Sequence, residues 1–429
     1  MKTIQSEAGI RKWILYIRIS LHVAIYYAAR IRELKWSVAD YLVFLRRATL
    51  LLLNFRHNKA VRVSTGYKID LYVPAYPSKA FFHILDSKLV MNPPGPTTVV
   101  FSITKACRYK CVHCYQRRDR GKDMEEKLMA DTAKQMQESG VAFFNIEGGE
   151  PLIQFNRLES LLRAIDDRAE VWVNTTGDGL TPEIINRLKS LRMLGVMVSI
   201  HSADPDTHDN FTGIPGSFKK AAASLKMFKS HGFATAVNSV LAEKELLEGG
   251  LAGLMNLARE LGCDYVQLIH PKPAGIWMNH TEQMQNDLKI IRHLEKEHLR
   301  YNSSRKKDYP CLSVQVFEES EKVLGCTSGA VDRFYINANG EVQPCEFLNI
   351  SFGNVNKEPF DKILGRMRSY FRIPCCDWLC CSQSPAIYEL IRKYDIKDTP
   401  LPWKYTEELV KNWNRGNPTP VYQRLGIYK

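Results

Sequence analysis

Thr98-Val99-Val100-Phe101-Ser102-Ile103-Thr104 is a β-prone run, and Cys107-Arg108-Tyr109-Lys110-Cys111-Val112-His113-Cys114 follows it almost at once. The run predicts a strand, and the second stretch sets three thiols on the loop that leaves it. Outward from this point, β-rich runs recur at Ala142–Glu147, Val171–Thr175, Val196–His201, Ala234–Leu241 and Tyr265–His270. Helix-patterned segments separate them, among them Ala130–Glu138, Arg157–Asp166, Pro182–Leu191, Phe218–Lys229 and Leu251–Leu261. Strands alternating with helices predict an α/β fold, a partial (β/α)6 barrel of the TIM type. Nothing in the pattern supplies the seventh and eighth units of a closed barrel.

The chain has 429 residues, too many for one small domain. With 45% hydrophobic and 24% charged residues it is neither disordered nor a multispan membrane protein. Eleven cysteines, an odd number, exclude a complete disulfide framework. Punctuation and cysteine placement divide the chain into residues 1–92, a basic and apolar accessory region; 93–280, the barrel; 281–310, a linking helix; 311–390, a small cysteine-rich domain; and 391–429, a C-terminal tail. The break at Asn92-Pro93-Pro94-Gly95-Pro96 is the strongest of these boundaries. Asn339-Gly340, between Phe334–Ile336 and Glu341–Val342, predicts a hairpin.

Cys107, Cys111 and Cys114 have the spacing C-x3-C-x2-C. Three thiolates on one loop can converge on one metal centre. A [4Fe–4S] cluster normally takes four cysteines, so three leave one iron open. The competing reading is a zinc site with His113 or a distant fourth ligand.

This loop resembles the signature of the radical S-adenosylmethionine (SAM) superfamily. The resemblance implies a [4Fe–4S] cluster on Cys107, Cys111 and Cys114, with SAM chelated to the open iron. It implies reductive cleavage of SAM to a 5′-deoxyadenosyl radical, which abstracts hydrogen from an unactivated carbon. Glu147-Gly148-Gly149-Glu150-Pro151 closes the second strand and is similar to the family's GGEP motif, which receives the amino group of SAM. The resemblance further implies SAM contacts from Tyr115, Asn174, Ser199 and Asn238, at or near strand ends, while no catalytic residue is assigned. His201 stands where the family commonly has Asp.

Cys326, thirteen residues, Gly340, four residues and Cys345 are followed by Cys375-Cys376 and Cys380-Cys381. This arrangement resembles the SPASM and twitch extensions of the same family. It implies a second, auxiliary [4Fe–4S] cluster on Cys326, Cys345 and Cys380, with Cys375 or Cys376 as the fourth ligand. Structural zinc is the alternative. Cys263 and Cys311 are lone; Cys263 is expected to pack in the core, and contact with substrate is left open for Cys311.

Residues 1–90 hold 15 Lys and Arg against 5 Asp and Glu, ten of the net thirteen positive charges. Two apolar helical stretches, Trp13–Ile31 and Tyr41–Phe55, lie among them. At 100° per residue Arg11, Arg18, His22 and Arg32 share a face, away from Trp13, Ile17, Leu21, Ala24 and Ala28. Such helices either lie in a membrane interface or pack on the barrel. The stretch Trp13–Ala29 is short for spanning.

The leading expectation is therefore a radical SAM enzyme of the cytoplasm, peripheral on the inner membrane face, acting on a membrane lipid or membrane-bound intermediate. Modification of a ribosomal peptide is the alternative within the class. A non-catalytic zinc-binding interaction protein is the alternative outside it. Expected partners are SAM, an external reductant such as flavodoxin or ferredoxin, and an anionic membrane surface. Nucleic acid is not expected, because no aromatic–basic RNA module is present.

Overall fold

The computed structural model describes residues 6–241, 243–278, 288–375 and 378–428. A small antiparallel sheet comes first, of β1 (Ser6–Glu7), β2 (Ala60–Val63) and β3 (Gly66–Lys68). The main sheet follows, of β4 (Thr98–Ser102), β5 (Phe143–Glu147), β6 (Glu170–Thr175), β7 (Met193–Ser199), β8 (Ala234–Val240), β9 (Tyr265–Ile269), β10 (Cys311–Val314), β11 (Arg333–Ile336), β12 (Glu341–Gln343) and β13 (Gly353–Asn354). Its spatial order is β10-β9-β8-β7-β6-β5-β4-β11-β12-β13.

All six strands read from the sequence are present and parallel. Two further parallel strands extend them. The helix Leu288–Tyr301 is the crossover that delivers β10 to the β9 edge, Cys311 pairing with Tyr265. On the opposite edge β11 pairs with β4, Arg333 against Thr98. The barrel is partial, as the sequence pattern implies, and two strands beyond the pattern flank its six. Both are four residues long, too short to show a pattern. Within residues 311–390, β11–β13 continue the barrel sheet. β10 and β11 end the parallel run without pairing to each other, so the barrel is open along that seam.

The hairpin forms as expected, with Ile336 opposite Val342. Asn337 accepts from the backbone of Asn339 and Glu341, and Gly340 takes φ 86°. That left-handed conformation favours glycine.

Period-two alternation sorts the strands' side chains. In β5, Phe144 and Ile146 face the surrounding helices, whereas Phe143 points into the barrel with Trp172, Met197, Ala236 and Tyr265. Val61, Leu71 and Ala75 of the N-terminal region pack into this apolar layer and plug the barrel floor. Lys68 secures the plug through a buried ion pair with Glu170 at 2.5 Å. Trp172 fills the floor because residue 195 is glycine; a Cβ there would lie 2.8 Å from three carbons of its ring.

Two helices, α1 (Ile10–Ala29) and α2 (Val38–Asn54), precede the plug, and α3 (Lys79–Leu85) follows it. Ser37 and Asp40 close a capping box at the start of α2. Leu15, Tyr16, Ile19, Val23 and Tyr27 of α1 pack with Phe44, Leu52, Phe81 and Phe82. Trp13, Ile17 and Leu21 remain exposed. One face of α1 is thus packed into the protein and the opposite face is exposed. Much of its basic excess is internal: Lys12, Lys59, Lys68 and Lys88 are buried on carbonyls or carboxylates. No helix among the described residues is long and apolar enough to cross a membrane. In the C-terminal tail the helix Pro420–Leu425 returns to α2, where Arg47 bonds the carbonyls of Leu425 and Gly426.

Candidate functional site

Above the apolar floor comes a polar layer, built by the next inward position of each strand. Asn145, Asn174, Ser199, Asn238 and Gln267 line a cavity of about 750 Å³, into which the loop after β4 brings Cys107, Cys111 and Cys114. Oxygens of Asn145, Asn174, Asn238 and Gln267 are buried and have no hydrogen-bond partner among the described residues. Such acceptors are costly unless a ligand satisfies them.

Close backbone packing positions the cysteine loop. Gly149 donates to the Thr104 carbonyl at 2.6 Å, and Glu150 to that of Ala106 at 2.8 Å. A Cβ at Gly149 would lie 2.3 Å from the Ala106 oxygen, and one at Gly148 would lie 2.6 Å from that of Thr104. From the other side, Lys110 and Val112 donate to the carbonyls of Thr212 and Phe211.

Burial and the neighbouring thiols push Cys107 up to about 11 and Cys111 to about 12. Neutral thiols have no electrostatic reason to converge until a cation replaces their protons. Among the described residues no three Cys, His, Asp or Glu side chains share one ligating position. The donor set and loop length fit a cluster with one open iron. His113 does not complete a zinc set. Its ring sits in an aromatic nest, 4.8 Å from both His201 and Phe211, and burial lowers it to about 4.

Tyr115 donates to Glu147, which also accepts from Gln116 at 3.0 Å and Asn174 at 3.3 Å. Burial raises Glu147 to about 7 against these bonds. Tyr115 then stacks edge-on against Tyr335 and Phe347, joining the loop to the C-terminal segment. Tyr115, Gly148, Gly149, Asn174, Ser199 and Asn238 all line the cavity; Glu150 and Pro151 do not. Both carboxylate oxygens of Glu150 are engaged, by Thr175, Thr176 and the Leu152 amide. Glu150 thus ties the β5 loop to the β6 loop.

The later cysteines form two groups. Cys326 and Cys375 pair through their backbones, Cys326 donating at 2.8 Å. Cys345 lies 3.9 Å from the Arg333 guanidinium, and Cys380 and Cys381 are neighbours on one short helix. Their mutual interaction favours the thiolate on Cys381 and disfavours it on Cys380. Cys376 lies outside the described residues. Cys263 and Cys311 are buried in the core.

Sequence reasoning missed Asn145, Gln267, Tyr72, Gln315, Glu318 and Arg333 in the cavity wall. The first two were accessible from alternation, each being two positions from an inward-facing residue. The others come from the plug and the seam, whose place is tertiary.

Residues 101–248 match the radical SAM superfamily, and residues 326–383 match SPASM, an iron-sulfur cluster-binding domain. The chain is 27% identical over 294 residues to the AdoMet-dependent heme synthase of Methanosarcina barkeri, covering 63% of this chain and 82% of that protein. It is 23% identical over 303 residues to the antilisterial bacteriocin subtilosin biosynthesis protein AlbA of Bacillus subtilis, covering 69% and 64%. The crystal structure of Streptococcus suis SuiB bound to precursor peptide SuiA shares the fold, with a TM-score of 0.52 at 18% identity over 70% of this chain and 73% of that one. A barrel carrying three thiols at its mouth and a cysteine-rich extension defines an iron–sulfur enzyme. The chain carries a radical SAM domain and a SPASM domain; its cofactors are a [4Fe–4S] cluster with SAM and auxiliary iron–sulfur. This sets aside the non-catalytic zinc protein.

Proposed function

We propose that the chain performs hydrogen abstraction on an amphiphilic, membrane-derived substrate. Cys107, Cys111 and Cys114 hold the first cluster. Gly148, Gly149, Tyr115, Asn174, Ser199 and Asn238 surround SAM, and Glu150 with Pro151 braces the loop beneath them. Auxiliary ligands come from Cys326, Cys345, Cys375, Cys376, Cys380 and Cys381. With cluster and SAM bound and an external flavodoxin or ferredoxin supplying an electron, the chemistry available is reductive cleavage to the 5′-deoxyadenosyl radical. The protein's residues orient the reacting carbon and exclude water from it.

One observation carries the substrate class. The cavity does not end at the polar layer. It passes Gln315, Glu318 and Arg333 at the open seam and continues along Ile19, Val23, Leu45, Leu52, Ile84 and Leu85. An apolar arm joined to a polar chamber suits a hydrocarbon chain with a polar end. The outer face of α1 agrees with this. Ile17 is 61% exposed, Leu21 60% and Ile25 70%, beside exposed Arg11 and Arg18. An apolar stripe edged by arginine fits an anionic bilayer surface and peripheral attachment.

Organic extraction of anaerobically purified protein, followed by mass spectrometry, should recover an amphiphile from wild type and much less from Val23→Trp. Co-sedimentation with phosphatidylcholine–phosphatidylglycerol vesicles should fall in Ile17→Glu/Leu21→Glu. Recovery of no amphiphile and equal sedimentation of both proteins would refute the reading. The similarity to AlbA supports a second reading, a peptide substrate. A thiol- or mass-tagged peptide product, formed with Val23→Trp as fast as with wild type, would favour it.

A further inference from the structure

Lys272 follows β9 and is 5% exposed. Its ammonium lies 3.9 Å above the Trp378 ring and 4.0 Å from the Cys381 sulfur. Cys380, Cys345 and Glu319 act on it electrostatically. Glu319 is already paired with Arg333 at 2.7 Å. Among the described residues no carboxylate stands within ion-pair distance of Lys272.

A buried ammonium that, among the described residues, has a ring face and thiols as its nearest neighbours calls for an anion. A cluster held by thiolates is one. We infer that Lys272 is a positioning residue and fixed counter-cation for the auxiliary cluster, standing at its Cys380–Cys381 side. The inference rests on the C-terminal thiols holding that cluster. A positive charge at this distance in a low-dielectric site favours the more negative, reduced state, so it raises the reduction potential. Trp378 presents its ring to the ammonium and its Nε1 to the Glu319 carbonyl at 2.8 Å, which fixes the geometry.

The test is a redox titration followed by electron paramagnetic resonance, on anaerobically reconstituted full-length protein, wild type against Lys272→Met and Lys272→Arg. Methionine keeps the bulk and removes the charge. The auxiliary signal should appear at lower potential in Lys272→Met, by at least the 59 mV that corresponds to a tenfold change in a one-electron couple. Lys272→Arg should stay near wild type, and the first cluster's potential should not move. Loss of auxiliary iron in Lys272→Met alone, with Lys272→Arg fully loaded, would also support a required cation. An unchanged potential in fully loaded Lys272→Met overturns the inference. So does equal iron loss in both variants, which would mean packing rather than charge. Wild type holding about four irons per chain instead of about eight overturns the auxiliary ligand assignment itself, and the inference with it.

Discussion

Tyr115 donates its phenolic hydrogen to the carboxylate of Glu147, linking the residue after the third cysteine to the end of the second barrel strand. Burial nevertheless holds Glu147 near 7, above its ordinary value of 4.5. Between those values the unfolded chain has released a proton that the folded chain keeps. Stability of the metal-free protein therefore falls as pH rises from about 4.5 to about 7, by up to roughly 1.4 kcal/mol per pH unit from this group. Glu147→Gln should flatten that part of the Tm–pH profile. Parallel profiles for the two proteins would contradict the assignment.

Gly149→Ala places a Cβ against the Ala106 carbonyl, backbone that cannot turn aside as a side chain would. The cysteine loop must shift, at a cost of about 1–3 kcal/mol. Differential scanning fluorimetry should register the loss, and the iron of the first cluster should fall with it. Wild-type iron content together with wild-type Tm would show that the contact is not as tight as the geometry requires.

The two cysteine groups have separate duties. Cys111→Ala should form no 5′-deoxyadenosine, because the first cluster loses a ligand. Cys345→Ala should still cleave SAM without turning over substrate. Each should retain about four irons per chain. Chromatography of 5′-deoxyadenosine beside iron analysis decides it; two folded but equally inactive proteins would contradict this division.

Lys68→Met leaves Glu170 buried in the barrel floor without its cation. Breaking such a pair costs about 3–5 kcal/mol. Glu170 keeps its bonds from the Ala75 amide and Trp172 Nε1, so the loss should lie at the lower end. The double variant Lys68→Met/Glu170→Gln should recover most of it in urea unfolding. No recovery would mean that Lys68 acts by packing alone.

The strands from Thr98 to His270 were legible because each is long enough to display its pattern, and each ends in the polar residues that line the site. The thiol loop was legible because a metal demands its ligand types at short spacing. β10 and β11 were not, being short and stabilised by edges formed elsewhere in the chain. Glu150 is the instructive middle case. Its motif was readable, but four bonds to neighbouring loops occupy its carboxylate, and only the folded arrangement brings Thr175 and Thr176 to it.

Sequence alone therefore determined the local chemistry: three thiols after a strand, a glycine pair after the next, and a second cysteine group beyond. Each follows from residues a few positions apart. The tertiary structure decided what that chemistry faces. It left the barrel open between β10 and β11, filled the floor with residues 61–75, and ran the cavity beneath α1 and α2. It also set Lys272 beside Cys381, 109 positions away. Contacts across such separations depend on how whole elements pack, and no local spacing encodes them.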